Sequence, residues 1–228
     1  MLYCCVPAAP IDADFDVTYH TEAIKEIVQS LGYRRVGIMP EGLAVVYAQC
    51  AKSQYTGVGM SWGAGMVNVA FWYFGMPVFA FSIARSGDWI DASSATACNE
   101  TSAAMQLAKE SGMDLADPKD DRQRAIAAYY EALVAYVVDK FRKLYSDTDP
   151  KKLPHVTQPI DVVFAGGTSM IGGFAGLLGK HIAAGFPVPV GKIVQAQEPL
   201  LAVSRGLMSA AETDRERILK AISVEKPK

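Results

Sequence analysis

The stretch Val162-Val163-Phe164-Ala165-Gly166-Gly167-Thr168-Ser169 decides how the rest of the chain is read. It ends an apolar run from Ile160 to Ala165, the pattern of a strand buried on both faces inside a parallel sheet. The run enters a glycine pair and then a helix predicted to reach about His181. Missing side chains let a ligand approach the backbone, and a helix N-terminus favours anions or polar groups. Two glycines equally serve tight strand-to-helix packing, and these eight residues alone leave both readings open.

Upstream, Asp121 to Tyr145 is the longest predicted helix, with Ile126, Tyr130, Leu133, Val134, Val137, Phe141 and Leu144 at helical spacing. A shorter helix covers Thr101 to Ser111, stopped by Gly112. Gly57 to Ser61, Met66 to Phe74 and Met76 to Ala84 are β-like runs divided by Gly63-Ala64-Gly65 and by Gly75, as in antiparallel strands joined by tight turns. Before them come a short apolar run, Leu2 to Val6, an amphipathic helix from Thr18 to Leu31, a strand from Arg35 to Met39 and an apolar helix from Glu41 to Cys50. Downstream lie a strand from Lys192 to Gln195 and a helix from Glu198 to Ala211, followed by a charged tail over 213–228. The order predicts an α/β fold, a mixed β-sheet flanked by helices.

Composition narrows the function classes. Half of the 228 residues are hydrophobic, and 22 basic residues against 24 acidic ones leave a net charge of −2. That excludes a disordered chain and gives no reason to expect nucleic acid, whose phosphates need clustered basic charge. Cys4, Cys5, Cys50 and Cys98 contain no C-x-x-C, and His20, His155 and His181 stand apart, so no metal site is predicted. No apolar run is long enough for a transmembrane segment. Free thiols in apolar settings point to a cytoplasmic location.

Several motifs have competing meanings. Ser61-Trp62-Gly63-Ala64-Gly65-Met66 is a hairpin turn that could also expose amides to phosphate oxygens. Gly59-Met60-Ser61-Trp62-Gly63 fits G-x-S-x-G, but a β-like run follows where that motif needs a helix. Glu41, at the start of an apolar helix, is either a dipole-favoured cap or a residue that orients a water. Asp88 and Asp91, after Gly87, read as N-terminal capping residues, with a metal-water contact as the minor alternative.

In order and spacing, these segments resemble the second lobe of the actin-like ATPase superfamily, which includes actin, MreB, FtsA, ParM and the DnaK-type chaperones. Val6-Pro7-Ala8 resembles the strand end that opens this lobe. Pro40-Glu41-Gly42-Leu43-Ala44-Val45-Val46-Tyr47-Ala48 resembles its "EP-x-AAA-x-A" helix. Ser61 to Val69 stands at the second phosphate loop, of type D-x-G-G-G-T-x-D-V. Arg85 to Asp91 resembles the "GGD-x-hD" segment, Thr101 to Gly112 the helix that follows, Val163 to Ile171 the adenosine-contacting motif, and Pro199 to Gly206 the final helix.

The resemblance implies an RNase H-like actin-type ATPase lobe over residues 1–212, with ATP or ADP and Mg²⁺ bound in a cleft between two lobes. It implies that Glu41 positions the attacking water. Gly63 and Gly65 would face phosphates, and Ser61, Gly87 and Asp88 would be further cofactor-binding residues. Lys109 and Gln106 would fall near the purine, and Gly166, Gly167 and Thr168 against the adenosine. The implied protein is a nucleotide-binding module of a filament-forming or assembly-scaffold protein, with a non-catalytic interaction module as the alternative.

Three departures qualify this. The phosphate loop carries Ser61, Ala64, Met66 and Asn68 where the family has aspartate, glycine, threonine and aspartate, which weighs against hydrolysis more than against binding. No chaperone-type peptide-binding segment is present. The first lobe is missing, so the expectation is a fragment, or a lobe supplied by another chain or by a homo-oligomer or filament.

Overall fold

The computed structural model describes residues 1–14 and 16–224. Side chains from 219 onward lie outside the description. Among the described residues, seven strands and seven α-helices follow in the order β1 (Leu2–Val6), α1 (Val17–Ser30), β2 (Val36–Pro40), α2 (Glu41–Gln49), β3 (Gly57–Trp62), β4 (Val67–Tyr73), β5 (Met76–Ile83), α3 (Gly87–Cys98), α4 (Ser102–Glu110), α5 (Asp121–Asp147), β6 (Ile160–Ala165), α6 (Phe174–Ala183), β7 (Val190–Gln195) and α7 (Ala202–Val224).

Five strands form one mixed sheet in the order β5-β4-β3-β6-β7. The β3–β4 and β4–β5 pairs are antiparallel, as the two glycine turns predict, whereas β3, β6 and β7 run parallel. Strand β3 explains the layering. Its alternate residues Val58, Met60 and Trp62 point into a core shared with Ile126, Leu133, Val137 and Phe141 of α5. Gly57, Gly59 and Ser61 face the other way, towards α2, because successive side chains alternate across a strand. A Cβ on Gly59 would lie 2.2 Å from the Gly42 carbonyl oxygen. The two glycines let α2 lie directly on the sheet, which is why Ala44, Val45 and Val46 are fully buried. Helix α7 then covers α2, meeting Ala44 at Gly206.

Strands β1 and β2 stand apart as a two-stranded parallel sheet. A strap of residues after β1 ties this unit to the large sheet. The Ser82 amide donates to the Ala9 carbonyl (3.0 Å), the Ile11 amide to the Ser82 carbonyl (3.1 Å), and the Ala84 amide to Asp12 Oδ1 (2.8 Å).

Two sequence expectations need correction. The helix predicted to stop at Ala211 continues to Val224, so residues 213–224 of the charged tail extend α7. Thr213 pairs with the Tyr55 hydroxyl, and the Tyr3 hydroxyl donates to Asp214. The helix expected directly after the glycine pair begins only at Phe174. Residues Gly167–Met170 form a single 3₁₀ turn, and Gly173 in the left-handed region (φ 78°) separates it from α6. The loop at Asp114 occupies the intervening space, with the Leu115 amide bonded to the Gly172 carbonyl.

Candidate functional site

At the C-terminal ends of β3 and β6, three segments enclose a cavity of about 550 Å³. One is the tip of the β3–β4 hairpin at Ala64, another is the start of α3 with the adjacent α4, and the third is the turn after β6. The volume lies in the range of small-ligand sites. Met113, Met170 and Ile171 supply apolar wall, and Asp88, Asp91, Lys109 and Asp114 supply polar groups.

Six of the eleven sequence-predicted site residues line this cavity: Gly87, Asp88, Gln106, Lys109, Gly167 and Thr168. Lys109 does not reach freely towards a ligand. Its Nζ lies 2.7 Å from Asp91 Oδ2, with both side chains nearly buried. Burial pushes the Asp91 carboxyl up from its ordinary range, and the Lys109 ammonium opposes the shift. Asp91 is therefore the partner of Lys109 rather than a cap for α3, whose N-cap position is Ser86.

The other groups lie around the hairpin, where the Gly63 carbonyl is the focus. It accepts from Ser86 Oγ (2.5 Å), Thr168 Oγ1 (2.7 Å) and the Gly87 amide (3.3 Å). The Asp88 amide donates to the Ala64 carbonyl at 2.9 Å. These contacts latch the hairpin to α3 and to the turn after β6. They also engage the first amides of α3 and the Thr168 hydroxyl within the protein. Ala64 and Gly65 remain exposed at the tip, and a Cβ on Gly65 would meet open space.

The glycine pair divides the two roles that its sequence leaves open. Gly166 has φ 96°, and a Cβ there would lie 2.3 Å from the Trp62 carbonyl oxygen, so its glycine is needed for packing. Gly167 lines the cavity, and its Cβ would make only an ordinary contact with Leu200 at 3.6 Å.

Glu41 and Ser61 meet beside the hairpin, outside the residues that line the cavity. Glu41 Oε2 accepts from Ser61 Oγ at 3.1 Å and from Asn68 Nδ2 at 3.4 Å. Asn68 is buried, and its Oδ1 accepts from the Ala8 amide of the strap at 2.9 Å. An asparagine can accept on one side and donate on the other, which an ionised aspartate cannot do.

Sequence reasoning did not assign Tyr130, Met113 or Asp114 to the site. Tyr130 occupies a core position of α5, yet its hydroxyl donates to the Thr168 carbonyl at 2.9 Å and supports the cavity floor. The hydroxyl on an otherwise apolar stripe was the available signal.

Tested against these residues, the cavity fits a nucleoside in volume and in its mix of apolar and hydrogen-bonding wall. Mg²⁺ fits poorly. It prefers oxygen ligands with near-octahedral geometry, usually including one or two carboxylates. Glu41 is the carboxylate of the hairpin cluster, and one of its oxygens already serves two neutral donors. Among the described residues, no group of three or more His, Cys, Asp or Glu side chains could hold a metal ion.

Comparison with solved structures places the fold. The chain is similar to the ethanolamine utilization protein EutJ from Carboxydothermus hydrogenoformans (17% identity, TM-score 0.56), with 82% of this chain aligned and 60% of that one spanned. It is similar to the MamK double helical filament (15% identity, TM-score 0.69), covering 92% of this chain and 68% of that one. It is also similar to MreB 5 of Spiroplasma citri bound to AMPPNP (16% identity, TM-score 0.70), covering 96% of this chain and 70% of that one. These likenesses establish an actin-type α/β fold, as the sequence resemblance implies. A comparison with curated protein sequences gives no match. The family model described as Volactin spans residues 1–211, and the chain belongs to the volactin family.

Proposed function

We propose that the chain is a nucleotide-binding lobe of an actin-like filament or assembly-scaffold protein, and that it holds ATP or ADP in the cavity between the hairpin, α3–α4 and the turn after β6. One observation carries this reading. The phosphate-loop hairpin, the Gly87 segment and the Gly167-Thr168 turn, distant in sequence, converge on one cavity of about 550 Å³. Solved structures of this fold support it, since MreB 5 of Spiroplasma citri is bound to AMPPNP in one and to ADP in another.

In this reading, residues 1–212 are the second lobe together with the strand pair that leads into it. The β1–β2 pair supports a missing first lobe or a partner copy. No further strand among the described residues pairs with either outer edge of this sheet, and parallel strands are normally buried among others. The MamK filament supports assembly as the outcome. Glu41 would be the water-positioning residue if the completed protein hydrolyses nucleotide, but Ser61 and Asn68 hold its carboxylate, which favours retention of nucleotide over turnover. The unpaired Cys4, Cys5, Cys50 and Cys98 favour a reducing, cytoplasmic location, and no helix among the described residues is long and apolar enough to cross a membrane.

Amide hydrogen exchange with and without ADP tests the reading. Protection should appear together in residues 84–91, 106–114 and 166–172. Protection confined to other segments, or none, would count against this cavity.

A further inference from the structure

The same hairpin that supports nucleotide binding departs from what a metal-assisted site requires. We propose that this lobe takes its nucleotide without help from a divalent cation, an inference that rests on the nucleotide-binding reading. The argument concerns the donor set. Ser61, Asn68 and Glu41 converge beside the phosphate-loop hairpin, and two of the three are neutral.

Asn68 is fixed from both sides. Its Oδ1 is committed to the Ala8 amide at 2.9 Å, so its amide nitrogen must face Glu41, and a metal would meet N–H donors instead of oxygen acceptors. Ser61 likewise turns its hydroxyl to Glu41 at 3.1 Å. Both residues are almost fully buried, which disfavours the rearrangement that would free them. The acidic residues at the far end of the cavity do not substitute for the missing carboxylates. Asp91 Oδ2 is paired with Lys109, Glu110 Oε1 accepts from Gln106 Nε2 at 3.0 Å and Asp114 Oδ1 from the Ala116 amide at 2.8 Å, and together with Asp88 they form no group of three or more that could hold a metal ion among the described residues. The exposed hairpin tip at Ala64 and Gly65 is left to present backbone to the phosphates, a neutral way of meeting an anion.

The test is titration of the purified chain with ADP, once with excess Mg²⁺ and once with EDTA, at matched ionic strength because exposed charges are screened by salt. The expected result is binding in both conditions, with dissociation constants within about tenfold of each other. The Glu41→Gln variant, in which the new amide oxygen still accepts from Ser61 and Asn68, should keep the same ratio. Loss of more than about tenfold in affinity on chelation would overturn the inference while leaving the nucleotide reading intact. A parent ratio beyond about tenfold that returns to near one in Glu41→Gln would overturn it and assign the metal to Glu41. Absence of ADP binding under both conditions would overturn the nucleotide reading and this inference with it.

Discussion

The cavity and the cluster beside the hairpin differ in how their charges are used. Around the cavity, Asp91 and Lys109 form a nearly buried ion pair at 2.7 Å, and several carboxylates line the wall. Beside the hairpin, Glu41 is held by the neutral donors Ser61 and Asn68. The first arrangement builds a shaped polar pocket. The second immobilises the carboxylate that the proposed function assigns to water positioning. The contrast fits the proposed reading of a lobe that holds a ligand, with Glu41 drawn into a structural contact between α2, the hairpin and the N-terminal strap.

The largest expected effect concerns the glycine pair that joins the two ends. Gly166→Ala places a Cβ in the left-handed region and 2.3 Å from the Trp62 carbonyl. Strain and overpacking together should cost about 3 kcal/mol or more and abolish cooperative folding in a marginally stable chain, as read by thermal melting. A near-normal melt would break the division of roles between Gly166 and Gly167. Gly166 is for the same reason unsuitable as a ligand-site control.

Next comes the buried ion pair. Lys109→Met leaves Asp91 without its cation and should destabilise the fold by about 3 kcal/mol at neutral pH, measured by urea unfolding. The sign of its pH dependence follows from Asp91. Its folded-state pKa is raised by burial, so stability falls as pH rises from the ordinary carboxylate range through the folded value. Lys109 offsets that fall in the parent. The gap between parent and variant should therefore be widest near neutrality and narrow as Asp91 becomes protonated in both. A pH-independent gap would mean that Lys109 acts only through packing.

The strand–helix plan was largely legible from the sequence, and the site only in outline. Strand β6 ends where its apolar run ends, and the two glycine turns specify the β3–β4–β5 meander, because both signals are local. Sheet order was not legible, since the parallel placement of β6 against β3 depends on distant segments. The end of α7 was missed because its polar outer face resembles a tail, while Thr213 and Asp214 are anchored by Tyr55 and Tyr3, far away in sequence. Lys109 and Asp91 could each be noticed singly, but their pairing needed the packing of α4 against α3. Likewise, Asn68 could be read as a lost aspartate, whereas its bond to Ala8 emerges only once the strap lies over the sheet.

The smallest effect supplies a baseline for the ion-pair comparison. Glu131 on α5 lies 2.7 Å from the exposed Lys180 ammonium, whose hydrogen bond lowers the Glu131 pKa. Glu131→Gln should cost only about 0.5 kcal/mol at neutral pH, because the pair is solvated. That contribution is present above the ordinary carboxylate range and is lost as pH falls through the depressed folded value, the opposite trend to Asp91. A loss as large as that of Lys109→Met would remove the distinction between buried and exposed pairs.

The central claim is tested most directly by calorimetric titration of ADP into the parent chain and into Gly167→Glu. The new side chain would enter the cavity, while the Gly167 Cβ itself meets only Leu200 at 3.6 Å, so the variant should fold normally. The account predicts saturable binding to the parent and a loss of about a hundredfold or more in a variant whose melting curve is unchanged. Equal affinity in the two proteins, or no binding to the parent, would contradict it.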